Sequence, residues 1–153
     1  MSVTTPSSPI CVDANLLVPR AVGGTNPPVP DLLALWKRWD DDGRRYVAPF
    51  LLRYEVTNAF HRMVHLGDIT ANAGRVALRA ALAVPIVLYA DEDLHERALD
   101  IAGRFRLPVA YDSHYLALAD RLGVEFWTAD KRLYNSVSTS LPWVRLAGGQ
   151  SSP

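Results

Sequence analysis

Short apolar runs alternate along this chain with longer segments whose apolar residues recur every three or four positions. The short runs are typical of buried strands, and the longer segments are typical of helices with one apolar face. This alternation is characteristic of a parallel sheet, because each parallel connection has to cross over the sheet and a helix usually makes the crossing. The sequence therefore predicts an α/β fold with three layers, α/β/α, around a central and mostly parallel sheet. Strands are predicted at 10–12, 46–48, 86–89, 109–111, 124–128 and 144–146.

The predicted helices occupy most of the remaining chain. Asp31 is expected to cap the first helix and Gly43 to end it. Between Pro19 and Pro30 the chain carries four prolines and two glycines, which predict an unusually long loop. Further helices are predicted at about 49–65, 70–83, 91–105, 112–122 and from Asp130 onward.

A length of 153 residues suits one domain with a sizeable core, predicted here at 10–147 between a flexible N-terminus, 1–9, and a flexible tail, 148–153. The first residues lack the basic and apolar regions of a signal peptide, and the longest apolar stretch is interrupted by Pro85. Cys11 is the only cysteine, which excludes an intrachain disulfide and a cysteine-based zinc site. These features predict a protein of the reducing cytoplasm that has no contact with membranes.

The formal net charge is zero, with 16 basic and 16 acidic residues. This balance excludes a simple polycationic nucleic-acid binder, which would carry a large excess of Lys and Arg. It leaves nucleic acid open as a substrate, because an acidic site can offset basic residues elsewhere.

Aspartates follow three of the predicted strands: Asp13, Asp112 and Asp130. Ligands of parallel sheets bind at the carboxyl ends of the strands, so these side chains are expected to converge. Capping of the following helix is the alternative for each of them, but Ser, Thr or Asn would cap equally well. Three aspartates at three strand ends therefore favour a functional site over capping alone.

Glu55 is the fourth carboxylate of interest. It lies at the edge of the apolar stripe of its predicted helix, with Asn58 and Arg62 on the same side of the helix at the following turns. A carboxylate in that position needs a cation or hydrogen bonds. An ion pair with Arg53 or Arg62 is the structural alternative to a functional role.

Four converging carboxylates repel one another unless a divalent cation neutralises them, and oxygen ligands without cysteine favour Mg²⁺ or Mn²⁺. Metal-assisted hydrolysis of a phosphodiester fits this site, because the metal activates water and neutralises the transition state. The histidines add little: His61 and His65 are expected to face solvent, His95 lies on a charged helix face, and a surface or capping role is expected for His114.

With these residues, the chain resembles PIN-domain proteins, and among them the VapC-type toxin ribonucleases of type II toxin–antitoxin systems. The resemblance extends from about Ile10 to Leu146, and four of its five segments carry the acidic residues. The matching segments are 12–15, 54–59, 111–119, 128–133 and 142–145.

The resemblance implies a Mg²⁺- or Mn²⁺-dependent endoribonuclease that acts as a toxin. It implies that Asp13, Glu55, Asp112 and Asp130 bind the metal and carry out catalysis. Asn15, Thr128 and Asn58 would support the site by hydrogen bonding. The implied partners are an RNA substrate, a VapB-like antitoxin and a second copy of the chain in a homodimer.

Basic residues next to the predicted site are the candidates for binding RNA, above all Lys131 and Arg132 beside Asp130. The more distant pairs, 37–38 and 44–45, could equally be solvated faces. Trp36 and Trp39 are expected in a core or an interface rather than stacked on RNA.

Two other functions remain open. A phosphotransferase of the HAD-like class also uses an aspartate after its first strand, although it requires a second aspartate two residues later, where this chain has Asn15. A non-catalytic PIN-like interaction module would keep the acidic cluster for structure alone.

Overall fold

The computed structural model describes residues 7–22 and 30–148, and strand β1, Ile10–Val12, forms the centre of its sheet. The sheet has five strands in the order β3-β2-β1-β4-β5, and every neighbouring pair is parallel. The predicted α/β fold with a central parallel sheet between helices is therefore confirmed. The other strands are β2 (Tyr46–Pro49), β3 (Ile86–Tyr89), β4 (Glu125–Thr128) and β5 (Val144–Leu146).

Seven helices connect or follow these strands in the described part of the chain. Helices α1, α3 and α4 pack against one another, whereas α5 packs on α6, which in turn contacts β1, β2 and β4. The helices are α1 (Ala14–Val22), α2 (Pro30–Asp41), α3 (Leu51–His65), α4 (Ala71–Ala83), α5 (Asp93–Phe105), α6 (Tyr111–Leu122) and α7 (Lys131–Val137).

The core lies on both sides of β1, whose three side chains are all completely buried. A strand covered on both faces has no room for alternating polar residues, which explains the short, wholly apolar run at 10–12. Trp36 and Trp39 are also buried in this core, where the indole of Trp36 donates a hydrogen bond to the carbonyl of Leu16 at 3.0 Å.

The predicted strand at 109–111 is wrong. Residues 106–110 connect α5 to α6 without forming a strand, and Tyr111 already belongs to α6. Asp112 is therefore in the first turn of a helix rather than at the end of a strand. The run Val109-Ala110-Tyr111 is locally compatible with a strand, but it makes no ladder with any of the five strands described.

The predicted loop between Pro19 and Pro30 is wrong at its start, because Pro19 lies within α1. Pro19 has no N–H to donate to the carbonyl of Asn15, so α1 lacks one of its internal hydrogen bonds at this turn. Asp31 is in the first turn of α2, which starts at Pro30, so it does not precede that helix as expected. Residues 23–29 and most of the predicted flexible ends, namely 1–6 and 149–153, lie outside the described residues.

No helix of residues 7–22 and 30–148 is both long enough and apolar enough to cross a membrane.

Candidate active site

The strand order reverses direction at β1, since the chain goes from β1 to β2 and β3 on one side and continues with β4 and β5 on the other. In open parallel sheets, ligands bind at this switch point, outside the carboxyl ends of the strands. Asp13 directly follows β1, and Thr128 is the last residue of the neighbouring β4. The carboxylate of Asp13 therefore lies where ligands most often bind in folds of this kind.

Hydrogen bonds from both neighbouring segments fix the carboxylate of Asp13. The hydroxyl of Thr128 donates to Oδ2 at 2.9 Å, and the backbone N–H of Asn15 donates to Oδ1 at 3.3 Å. The side chain of Asn15 in turn donates to Oγ1 of Thr128 at 3.2 Å and accepts from the N–H of Ala129 at 3.0 Å. Asn15 and Thr128, both predicted as supporting residues, thus connect the ends of β1 and β4 around Asp13.

Glu55 reaches the same region from α3. Its Oε1 accepts a hydrogen bond from the hydroxyl of Tyr115 on α6 at 2.7 Å, and no ion pair to Arg53 or Arg62 occurs among the described residues. Tyr115 is fully buried, so this bond orients a half-buried carboxylate from the protein interior. Sequence analysis missed this residue as part of the site, although it falls within the matched segment 111–119.

Asp13, Glu55 and Asp112 line one cavity of about 440 Å³, which we call the carboxylate cavity. Asn58, the third predicted supporting residue, also lines it, although the structure describes no hydrogen bond of its side chain. Among the described residues that line it, Arg62 is the only basic one. These residues are Asp13, Ala14, Asn15, Val18, Pro19, Glu55, Asn58, Ala59, Arg62 and Asp112.

The protein holds these carboxyl groups where ionisation is unfavourable. Burial, and then the charges of Asp112 and Glu55, raise the pKa of Asp13 from 3.8 to about 7, against the opposing hydrogen bonds from Thr128 and Asn15. Burial also raises the pKa of Glu55, opposed by the bond from Tyr115, and that of Asp112, with a smaller contribution from the charge of Asp130. Raised pKa values with named charge partners in a cavity are typical of functional sites.

Asp130, like Asp13 with the N–H of Asn15, accepts hydrogen bonds from the start of the helix that follows it. Its Oδ1 accepts hydrogen bonds from the N–H groups of Arg132 at 2.9 Å and Leu133 at 3.2 Å, so it is the N-cap of α7. It does not line the carboxylate cavity. The charge of Asp130 still acts on Asp112, so the residue belongs to the electrostatic surroundings of the cavity.

The donor set fits a hard divalent cation. Carboxylate oxygens of Asp13, Glu55 and Asp112 face one cavity, and their mutual repulsion is the cost that such an ion would remove. In the conformation described, however, no three His, Cys, Asp or Glu side chains of residues 7–22 and 30–148 are close enough together to hold one ion. Direct contact of all three carboxylates with one cation would therefore require these side chains to approach one another.

The remaining predicted residues lie outside this cavity. Lys131 and Arg132 are exposed at the start of α7, and no ion pair of either side chain occurs within the described chain. Lys37 is paired with Asp41, and Arg44 with Glu125, so these two cations are partly neutralised. His61 and His65 are exposed and face solvent, as predicted.

The comparisons with known proteins find similarity in structure alone. No protein-family model matches the chain, and no curated protein matches it significantly. PAE2754 from Pyrobaculum aerophilum has a similar fold, with a TM-score of 0.63 and 23% identity over 84% of each chain. A toxin–antitoxin complex from Klebsiella pneumoniae contains a chain with a TM-score of 0.60 and 16% identity, over 89% of this chain and 95% of that one. At these identities the comparisons establish the fold.

Proposed function

We propose that this protein is a Mg²⁺- or Mn²⁺-dependent endoribonuclease of the PIN-domain type that acts as the toxin of a VapBC-type toxin–antitoxin pair. The observation that carries the proposal is the convergence of Asp13, Glu55 and Asp112 on one cavity at the switch point of the sheet. A protein gains no stability from placing three carboxyl groups together with raised pKa values. A divalent cation bound at this site would offset the repulsion among the three carboxylates, which explains why they lie together.

Asp13, Glu55 and Asp112 would hold the cation, and the charge of Asp130 would add to the negative potential beside them. The bound ion would lower the pKa of a water molecule and neutralise charge on the phosphodiester in the transition state. Hydrolysis of RNA then requires no histidine as general base, which agrees with the absence of histidine from the lining of the carboxylate cavity.

Hydrogen bonds within the protein orient the carboxylates of Asp13 and Glu55. Thr128 and Asn15 hold Asp13 in one rotamer, and Tyr115 holds Glu55, so the two carboxylates are positioned before a substrate binds. Arg62 lines the same cavity and is exposed, so its guanidinium can contact a phosphate group of the substrate. Lys131 and Arg132, at the start of α7, are proposed to contact the RNA backbone outside the carboxylate cavity.

Structural similarity to a chain of a toxin–antitoxin complex supports the biological role. By that similarity we propose an antitoxin as the protein partner. The resemblance in sequence to VapC-type toxins adds that this antitoxin is VapB-like, that the protein forms a homodimer and that it acts on RNA in the cytoplasm. Fold similarity alone does not determine function, so the role has to be tested at the site.

The phosphotransferase alternative has less support at the same site. That chemistry needs an acid or base two residues after the first aspartate, whereas the side chain of Asn15 is engaged by Thr128 and Ala129. Trapping of a phosphorylated Asp13 would decide for this alternative. RNA hydrolysis that depends on Asp13 would exclude a non-catalytic module.

The experiment is cleavage of an unstructured RNA by the purified protein with Mg²⁺, with Mn²⁺ and with a chelator. We expect cleavage that requires metal and is lost in Asp13→Asn, Glu55→Gln and Asp112→Asn. Asp68→Asn, which removes an exposed carboxylate outside the cavity, is the matched control and should cleave normally. Equal cleavage by Asp13→Asn and the wild type would refute the proposal.

A further inference from the structure

A second cavity, of about 430 Å³, opens beside the carboxylate cavity, and aromatic rings form much of its lining. We call it the aromatic cavity. Tyr54 and Tyr111 are 67% and 61% exposed, which is unusual for side chains of this size, and Phe50 is 39% exposed. Its ring-bearing residues are Phe50, Tyr54, Tyr89, His95, Tyr111 and His114.

The two cavities share their walls. Tyr54 on α3 lines the aromatic cavity, and the next residue, Glu55, lines the carboxylate cavity. The same holds on α6, where Tyr111 and Asp112 are consecutive. Successive helical residues point about 100° apart, so α3 and α6 each present side chains to both cavities. A strand with a phosphodiester at the carboxylates is therefore adjacent to the aromatic cavity.

The polar groups of this mostly apolar cavity include a pair of histidines and the carboxylate of Asp91, which is paired with Arg121. Nδ1 of His114 lies 2.8 Å from the carbonyl oxygen of Ala110, which can only accept, so this nitrogen carries a proton. Nε2 of His114 lies 3.0 Å from Nδ1 of His95, so the two rings share a hydrogen bond. Nε2 of His95 has no partner among the described residues, so it is available to hydrogen-bond a ligand.

The occupant of such a cavity should be flat, with apolar faces and a polar edge. Unpaired nucleobases have this chemistry, and single-stranded RNA is bound largely by stacking of its bases on aromatic side chains. The guanidinium of Arg53 lies 5.7 Å from the ring centroid of Phe50, so a cation for the RNA backbone is also close. A second protein copy is less suitable, because apposed tyrosines would cover the rim and leave a concave space behind them.

Resting on the proposed ribonuclease function, we propose that the aromatic cavity binds one unpaired base of the RNA, next to the phosphodiester that is cleaved. Tyr54 and Tyr111 would stack on this base. The histidine pair would form a hydrogen bond with the polar edge of the base. The cavity would in this way select unpaired over paired RNA and set the position of cleavage.

The test measures binding of a short unstructured RNA to the uncleaving Asp13→Asn protein in Mg²⁺, with an abasic nucleotide moved along the RNA one position at a time. We expect one position, adjacent to the cleavage site, at which loss of the base weakens binding roughly tenfold. Adding Tyr54→Ala or Tyr111→Ala should abolish the effect of that abasic position, whereas Tyr54→Phe should keep it. Leu99→Ala, which removes a side chain of the same 67% exposure outside both cavities, is the control and should keep it as well.

Three results would overturn the proposal. The first is an abasic effect that is the same in Tyr54→Ala and in the Leu99→Ala control while the wild type still cleaves RNA, which leaves the ribonuclease function standing. The second is a change from dimer to monomer in Tyr54→Ala and Tyr111→Ala, measured by light scattering, which assigns the cavity to a second copy. The third is failure of the wild type to bind or cleave RNA at all, which also ends the proposed function.

Discussion

Asp13 is a buried carboxyl group whose ionisation the folded protein opposes. Its pKa is raised from 3.8 to about 7 by burial and by the charges of Asp112 and Glu55. Between these two values the folded protein binds more protons than the unfolded chain. The contribution of this carboxyl to stability is therefore fully present below the lower pKa and is lost as the pH rises through the higher one.

The first prediction concerns Asp13→Asn, which cannot ionise. In metal-free buffer we expect its free energy of unfolding, relative to that of the wild type, to increase as the pH rises from about 4 to about 7. The shift in pKa corresponds to a change of roughly 4 kcal/mol over this range. Denaturant unfolding across the range measures it, with Asp68→Asn as an exposed control. If the difference in unfolding free energy between Asp13→Asn and the wild type does not vary with pH, the pKa of Asp13 is not raised.

The second prediction separates the two roles of Asp130. Asparagine caps a helix about as well as aspartate, so Asp130→Asn should keep the stability of α7 while losing the charge beside Asp112. Asp130→Ala should lose both, at a cost of about 1 kcal/mol in unfolding free energy. RNA cleavage and thermal unfolding of both variants provide the test. Normal cleavage by a stable Asp130→Asn protein would restrict this residue to capping.

Sequence predicted that Asp13, Glu55 and Asp112 lie together, although Asp112 stands in the first turn of α6 and does not follow a strand as expected. The bond from Tyr115 to Glu55 could not be predicted, because helical periodicity shows that Tyr115 is buried but not which helix its hydroxyl reaches. Nor could sequence decide between capping and metal binding for Asp130, since the same carboxylate suits both.

Most strands and helices were predictable from sequence, but helix α1 and the connection between α5 and α6 were not. Val109 to Tyr111 has the residue types of a strand, yet a strand exists only where a neighbour can pair with it. The left-handed conformation of Arg106, with φ 53°, ends α5, and the carbonyl of Ala110 accepts from Ser113 at 2.7 Å as α6 begins. These local bonds favour an early start of the helix that carries Asp112.

The third prediction uses two helical glycines in different surroundings. A Cβ at Gly74 on α4 would lie 2.7 Å from Cγ2 of Val64 on α3, whereas a Cβ at Gly103 on α5 would meet no atom within 4 Å. Gly103→Ala should therefore stabilise the protein by up to about 1 kcal/mol, since alanine is the better helix former. Gly74→Ala should lose that gain, because α3 and α4 must separate slightly. Equal stabilisation in both, measured by thermal unfolding, would contradict the close packing of α3 and α4.

In the whole molecule, the net charge of zero is the sum of an acidic site and a moderately basic remainder. The chain has 16 basic and 16 acidic residues, so leaving out Asp13, Glu55, Asp112 and Asp130 gives an excess of four basic residues. An acidic site within a moderately basic body suits an enzyme of polyanionic RNA, because the body attracts the substrate and a cation neutralises the site.

The fourth prediction follows from the repulsion among the site carboxylates. Mg²⁺ or Mn²⁺ should raise the unfolding temperature of the wild type, and the gain in free energy should reach about 2.7 kcal/mol at a hundred times the dissociation constant. Asp13→Asn should show a much smaller gain, and NaCl of equal ionic strength is the control. Equal stabilisation of both proteins would locate the bound ion elsewhere.

Metal-dependent cleavage of RNA at the carboxylate cavity is tested by mapping the RNA ends that the protein generates in total RNA with Mg²⁺, with a chelator and with Asp13→Asn. We expect new RNA ends at discrete unpaired positions with Mg²⁺ and the wild type, and none with the chelator or with Asp13→Asn. The same ends produced by Asp13→Asn, or by the wild type in chelator, would contradict this expectation.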